Sequence, residues 1–151
     1  MELFNNRILE KYGVKMRKIM VSGGFDPIHV GHVRMILDAS KYGDVIVVAN
    51  SDDWLLRKKG YIFMPWEERA EIIESIRGVA KVHRVDDEDN TVCEAILRLK
   101  PDAFANGGDR KGNNTPEVAL CEDLGIKLLW NIGGEKIQSS SELVSNSRQN
   151  K

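Results

Sequence analysis

Five short apolar runs alternate with helical patterns along this chain, and that alternation restricts the fold more than any other feature. The runs are "KIMVS" (18–22), "DVIVVAN" (44–50), "AKVHRV" (80–85), "DAFAN" (102–106) and "IKLLWNI" (126–132). "DVIVVAN" is nearly continuous in β-branched residues, as expected of a strand buried on both faces. Between the runs the period changes. Val33, Ile36 and Leu37 form a helical stripe after Val30, and 51–58 begins with a helical turn capped by Ser51. Residues 65–78 open with Pro65 and close with Gly78, while 115–125 has a Thr cap, a proline at the first helical position and a glycine stop. In 91–100, Thr91 and Glu94 have capping-box spacing. Residues 139–148 read as a polar-capped terminal helix, and Leu3, Phe4, Ile8 and Tyr12 predict a leading helix within 1–16.

Strand–helix alternation means parallel strands with right-handed crossovers and helices on both faces. The expected fold is a Rossmann-like, doubly wound α/β sandwich of three layers around five parallel strands, with residues 17–151 as a single domain. Ligands of such sheets gather at the carboxyl ends of the strands, where the strand order reverses.

The length of 151 residues suits one ordinary core. A formal net charge of −1 gives no support for a general nucleic-acid or membrane-surface binder, so neither partner is expected. Two isolated cysteines, Cys93 and Cys121, read as reduced core residues. The stretch "MELFNNRILEKYGVKMRK" has no apolar signal core, and no run reaches the roughly 18 apolar residues of a membrane span. A cytoplasmic location follows as the expectation.

The chemistry concentrates in "GGFDPIHVGH" (23–32), directly after the first strand. Gly23 and Gly24 let a phosphate approach the backbone. His29 and His32 stand three apart at a helix start, so both rings can face one side, where unpaired N–H groups and the helix dipole favour anions. Gly31 between them leaves room for a close neighbour. The stretch is neither a dinucleotide fingerprint nor a Walker A loop. The spacing of the pair also suits zinc, but no third ligand of the usual kind lies nearby in the sequence.

With further motifs in order, "GGFDPIHVGH" resembles the H-x-G-H signature of the cytidylyltransferase-like nucleotidylyltransferase superfamily. "RKKG" (57–60) and "EERAEIIESIR" (67–77) resemble its basic loop and Arg-bearing helix. "NGGDR" (106–110) resembles the segment after its fourth strand, and "KIQSSSELV" (136–144) the Ser/Thr segment opening its last helix. The likeness covers about residues 17 to 145.

The resemblance implies transfer of a nucleoside monophosphate from a nucleoside triphosphate to a phosphomonoester, with release of pyrophosphate. It assigns phosphate contacts to His29 and His32, and places Lys58 and Lys59 in the loop after strand two, with Lys59, beside Gly60, facing inward. Nucleotide contacts fall to Gly23, Gly24, Phe25, Asp26, Gly31, Gly107, Asp109, Arg110, Ser139, Ser140 and Ser141. Asp26-Pro27 is expected chiefly to fix the turn, and Asp109 to orient Arg110 or meet the nucleotide. Arg77, ending its helix, and Lys136 are the acceptor-side cations, whereas Arg69 reads as structural. Mg²⁺ is expected through the triphosphate rather than through protein ligands. A homodimer is the family expectation.

Two departures bear on the substrate. Glycerol-phosphate relatives commonly carry Thr at the place of Gly24, and an arginine where this chain has Gly133-Gly134-Glu135-Lys136. The pattern "GGDR…NTPE…GGEKIQSSS" looks closer to the sugar-phosphate branch, including heptose phosphate, which often uses ATP. CTP with a sugar or polyol phosphate is the first reading, and ATP with a sugar 1-phosphate the alternative. A nucleotide sensor without turnover is the reading from another class.

Overall fold

The computed structural model describes residues 18–134 and 140–149; the predicted leading helix, Lys136 and Ser139 lie outside them. Five strands, β1 (Lys18–Gly23), β2 (Asp44–Ala49), β3 (Val79–His83), β4 (Ala103–Ala105) and β5 (Lys127–Leu129), form one sheet in the order β3-β2-β1-β4-β5. All neighbouring pairs are parallel. The order reverses at β1, whose neighbours are β2 and β4.

The described helices are α1 (Val30–Ala39), α2 (Asp52–Lys59), α3 (Trp66–Glu74), α4 (Cys93–Leu99), α5 (Pro116–Leu124) and α6 (Ser140–Gln149). Alternation along the strands decides which face each helix covers. Ile19, Val21, Val45 and Val47 point to one face, with Ile36 and Ala39 of α1 and Ala70 and Ile73 of α3. Met20, Ile46, Val48 and Phe104 point to the other, with Ala95 and Ile96 of α4 and Cys121 of α5. The two cores make the expected three-layer, doubly wound arrangement. Burial raises the Cys121 thiol to a pKa of about 11, which suits a core residue.

Local details differ from the sequence expectation in three places. Lys58 and Lys59 are not in a loop: α2 continues through them and stops at Gly60, whose φ of +84° is a left-handed conformation suited to glycine. The basic end of α2 complements the helix dipole. Helix α3 ends at Glu74, so Arg77 falls in the turn before β3. The Thr91–Glu94 box does not form. Asp89 accepts from the N–H and hydroxyl of Thr91, and Glu94 accepts instead from the Asp86 N–H and from Arg98.

Candidate active site

The loop after β1 and the start of α1 bring His29 and His32 together. His29 is the N-cap in extended conformation, and its Nδ1 accepts from the Gly31 N–H at 3.1 Å. The His29 N–H donates to His32 Nδ1, also at 3.1 Å. The pair forms a capping box in which imidazoles replace the usual hydroxyl and carboxylate. The rings stack at 3.8 Å between centroids with 23° between planes. Because both Nδ1 atoms accept, each neutral ring carries its proton on Nε2. Burial first, then the charges of His29 and Lys59, lower the His32 pKa to about 4. His32 is therefore a neutral hydrogen-bond donor at physiological pH.

The glycines serve packing as well as access. A Cβ on Gly31 would stand 2.9 Å from His29 Cε1, so the ring can fold onto the cap only over a glycine. A Cβ on Gly24 would meet Leu55 and Trp54 of α2 at 3.2 and 3.3 Å, and one on Gly23 would meet the Phe25 ring at 3.4 Å. Phe25 is buried and turns its ring edge-on to His32, centroids 4.9 Å apart. Its buried side chain packs against the imidazole, so what Phe25 can offer a nucleotide is its backbone.

Asp26 is fully buried. Its carboxylate accepts from the Phe63 and Met64 N–H groups at 2.8 and 2.6 Å, tying the loop after β1 to the segment after α2. Its backbone carbonyl accepts from Lys59 Nζ. Burial, opposed by Asp26 and assisted by Arg69 and Lys58, lowers the Lys59 pKa. Lys58 instead lies over the Trp54 ring, 4.7 Å from its centroid. Lys59 is thus the lysine turned toward the histidine loop.

Arg69 is structural, as expected. Fully buried, it donates to the carbonyls of Met64, Gly24 and Asn50 and to Asp52 at 2.7–3.0 Å. One guanidinium thereby joins the ends of β1 and β2 to the start of α2. Sequence reasoning missed Asp87, a second clamp. This buried carboxylate accepts from Asn50 Nδ2, Ser51 N–H and Ser51 Oγ at 3.1, 2.9 and 2.6 Å. Ser51 also caps α2, and that cap was the one visible signal. Among its described residues α2 buries only Leu55, so these polar ties at its start set where Lys59 ends up.

The loops after β4 and β5 pair with each other. Asn106 N–H donates to Leu129 O, Ile132 N–H to Asn106 O, and Asn131 N–H to Gly108 O. Gly107 sits beside Ile132 and Met35. Gly133, at φ +93°, lies against α1, where a Cβ would be 2.9 Å from Met35 Cα, and its N–H donates to Asp38 at 2.7 Å. Ser140 opens α6 and donates to Pro27 O at 2.7 Å, bringing that helix start to the histidine loop. Of Ser141 only its place in α6 is described.

Asp109 and Arg110 do not pair with each other. Asp109 accepts from the Lys111 N–H rather than orienting Arg110, and Arg110 reaches Glu122 of α5 at 3.4 Å on the surface. Arg77 lies at the wrong end of the sheet for an acceptor cation. Its neighbour Gly78 packs on Ser40, where α1 ends, at the edge from which the strands start. Among the described residues no group of three or more His, Cys, Asp or Glu could hold a metal ion. No helix among them is long and apolar enough to cross a membrane.

Known proteins resemble this chain in sequence and fold. Residues 20–127 match the model of a family described as cytidylyltransferase-like. An FAD synthase of Ferroglobus placidus is 36% identical over 95 residues, covering 63% of this chain and 61% of that protein. A bifunctional protein HldE of Sulfurimonas denitrificans is 34% identical over 141 residues, covering 91% of this chain and 29% of that protein. The chain thus spans about three fifths of the first of these relatives and under a third of the second. The crystal structure of a lipopolysaccharide core biosynthesis protein from Thermoplasma volcanium superposes with a TM-score of 0.61 at 26% identity, covering 76% of this chain and 93% of that one.

Proposed function

The chain belongs to the cytidylyltransferase-like family, and we propose that it acts as a nucleotidylyltransferase. A phosphomonoester oxygen attacks the α-phosphorus of a nucleoside triphosphate. The new P–O bond forms as the bond to the bridging β-phosphate oxygen breaks, and pyrophosphate leaves. The attacking oxygen is already anionic, so no base is needed; the protein aligns the phosphates and stabilises the gathering charge.

The observation that carries this reading is the stacked histidine cap beside Lys59. Nδ1 of each ring is held by the backbone, which leaves Nε2–H as the donor in a site where a cation stands close by. His32 donates to the α-phosphate oxygens as charge builds, with His29 on the adjoining phosphates. Lys59 exchanges its bond to Asp26 O for the acceptor phosphate. The start of α6, with Ser140, receives the distal phosphates. Magnesium would be held through the triphosphate and, when bound, would supply charge neutralisation there. Both carboxylate oxygens of the buried Asp26 are taken by N–H groups, which supports that route over an ion held by this carboxylate.

For the substrates we carry two pairs: CTP with a sugar or polyol phosphate, and ATP with a sugar 1-phosphate. The likeness to an FAD synthase favours ATP, since FAD contains an adenylyl half. A homodimer and a cytoplasmic setting complete the proposal. Pyrophosphate release with each nucleoside triphosphate against a panel of phosphomonoesters tests it. We expect one nucleotide to be clearly preferred, because a wrong base leaves buried polar groups unpaired. Tight nucleotide binding without release in any pairing would favour the sensor instead.

A further inference from the structure

The nucleotidylyl reading leaves open what recognises the body of the acceptor, and the topology assigns a place for it. β1 lies between β2 and β4, so the histidine loop has a different set of loops on each side. The loops after β4 and β5 lie to one side and pair with each other, while the start of α6 meets the histidine loop itself through Ser140 and Pro27, which suits the triphosphate tail. Helix α2 and the segment that follows it come from β2, on the other side. With the nucleotide over β4 and β5, the acceptor enters over α2.

The first residue beyond that helix's glycine stop is Tyr61. Its ring centroid lies 5.8 Å from Lys59 Nζ, the cation proposed to meet the acceptor phosphate. The segment is anchored: Phe63 and Met64 donate to the buried Asp26 carboxylate, whose own carbonyl accepts from Lys59. Tyr61, Ile62 and Phe63 offer no charged side chain, and Phe63 is 59% exposed. An aromatic, apolar rim held at a fixed distance from a phosphate-binding ammonium is suited to a ring and poorly suited to hydroxyl groups on a flexible chain.

We propose that Tyr61 is an acceptor-specificity residue, forming a wall against the flat face of a ring-bearing phosphomonoester whose phosphate meets Lys59. This rests on the nucleotidylyl reading above and narrows it. A pyranosyl or aromatic phosphate is preferred to an open-chain polyol phosphate.

The test compares the parent protein with Tyr61→Ala and Tyr61→Phe, using glucose 1-phosphate, flavin mononucleotide and glycerol 3-phosphate as acceptors. Pyrophosphate release gives KM and kcat, and calorimetry gives the nucleotide Kd separately. Tyr61→Ala should raise KM for the accepted ring phosphate about tenfold or more, with the nucleotide Kd within about twofold. Tyr61→Phe, which keeps the ring, should restore most of that loss. An unchanged acceptor KM, an equal rise for glycerol 3-phosphate, or a shift in nucleotide Kd instead would overturn the proposal. If the parent releases no pyrophosphate with any pair, the reaction reading fails separately. Direct titration of the three acceptors into parent and Tyr61→Ala then decides: weaker ring-phosphate binding by the variant supports the wall, and equal or absent binding overturns it.

Discussion

Gly31 and His29 are in a contact that admits no side chain: a Cβ on the glycine would lie 2.9 Å from Cε1 of the imidazole and 3.0 Å from its Nδ1. Gly31→Ala therefore sets two effects against each other. Alanine gains about 1 kcal/mol of helix propensity over glycine. Displacing the His29 ring forfeits the cap bond, worth about 0.5–2 kcal/mol. We expect a small net change in stability and a large loss of turnover, because the ring that leaves is one proposed to meet phosphate. Chemical denaturation and steady-state rates check this pair of outcomes; a fully active Gly31→Ala protein would contradict it.

Lys59→Ala should weaken acceptor-phosphate binding and turnover together, while Lys58→Ala does less. Lys59 Nζ reaches the histidine loop, whereas Lys58 lies over Trp54. Steady-state kinetics of the two variants rank them. The reverse ranking would move the role to Lys58, and two neutral substitutions would remove this helix end from the mechanism.

Acidification should destabilise the fold through His32. Its folded pKa of about 4 lies below the ordinary 6.5, so folding favours the neutral ring. The resulting stability is fully present above pH 6.5 and is lost as pH falls toward 4. His83, also lowered, contributes with the same sign. Thermal midpoints of parent and His32→Ala between pH 7 and pH 4 separate the two. The parent should lose more than the variant, and parallel curves would contradict the coupling.

Arg69→Ala should be strongly destabilising, by about 3–5 kcal/mol, since it strands the carbonyls of Gly24 and Asn50 and unpairs Asp52. Arg69→Lys should not rescue it, because one ammonium cannot span these acceptors as the guanidinium fork does. Equilibrium unfolding measures both, and a loss below about 1 kcal/mol would mean the clamp is redundant.

The layered fold was legible because local patterns carry it. "DVIVVAN" has no polar alternation and lies between helices on both faces, and Thr115, Pro116 and Gly125 mark the limits of α5 as written. What could not be read depends on partners distant in sequence. Asp26 reaches Phe63 and Met64, Asp87 reaches Ser51, and Asp109 turns to a neighbour while Arg110 is drawn to Glu122. Helix ends suffered for the same reason. Glu94 had spacing suited to capping Thr91, yet Asp86 and Arg98 compete for its carboxylate and Asp89 for the threonine. The two histidines were visible as a pair. Their service as each other's cap was hidden, because imidazole is seldom the capping side chain.

The most direct test of the account is pyrophosphate release by His32→Ala, measured beside its nucleotide affinity. If neutral His32 donates to charge that develops only during transfer, the variant should bind nucleotide within a few-fold of the parent. Its kcat should fall by about 10²–10³. Turnover within a few-fold of the parent would contradict the role of His32, and with it the mechanism built on the stacked pair.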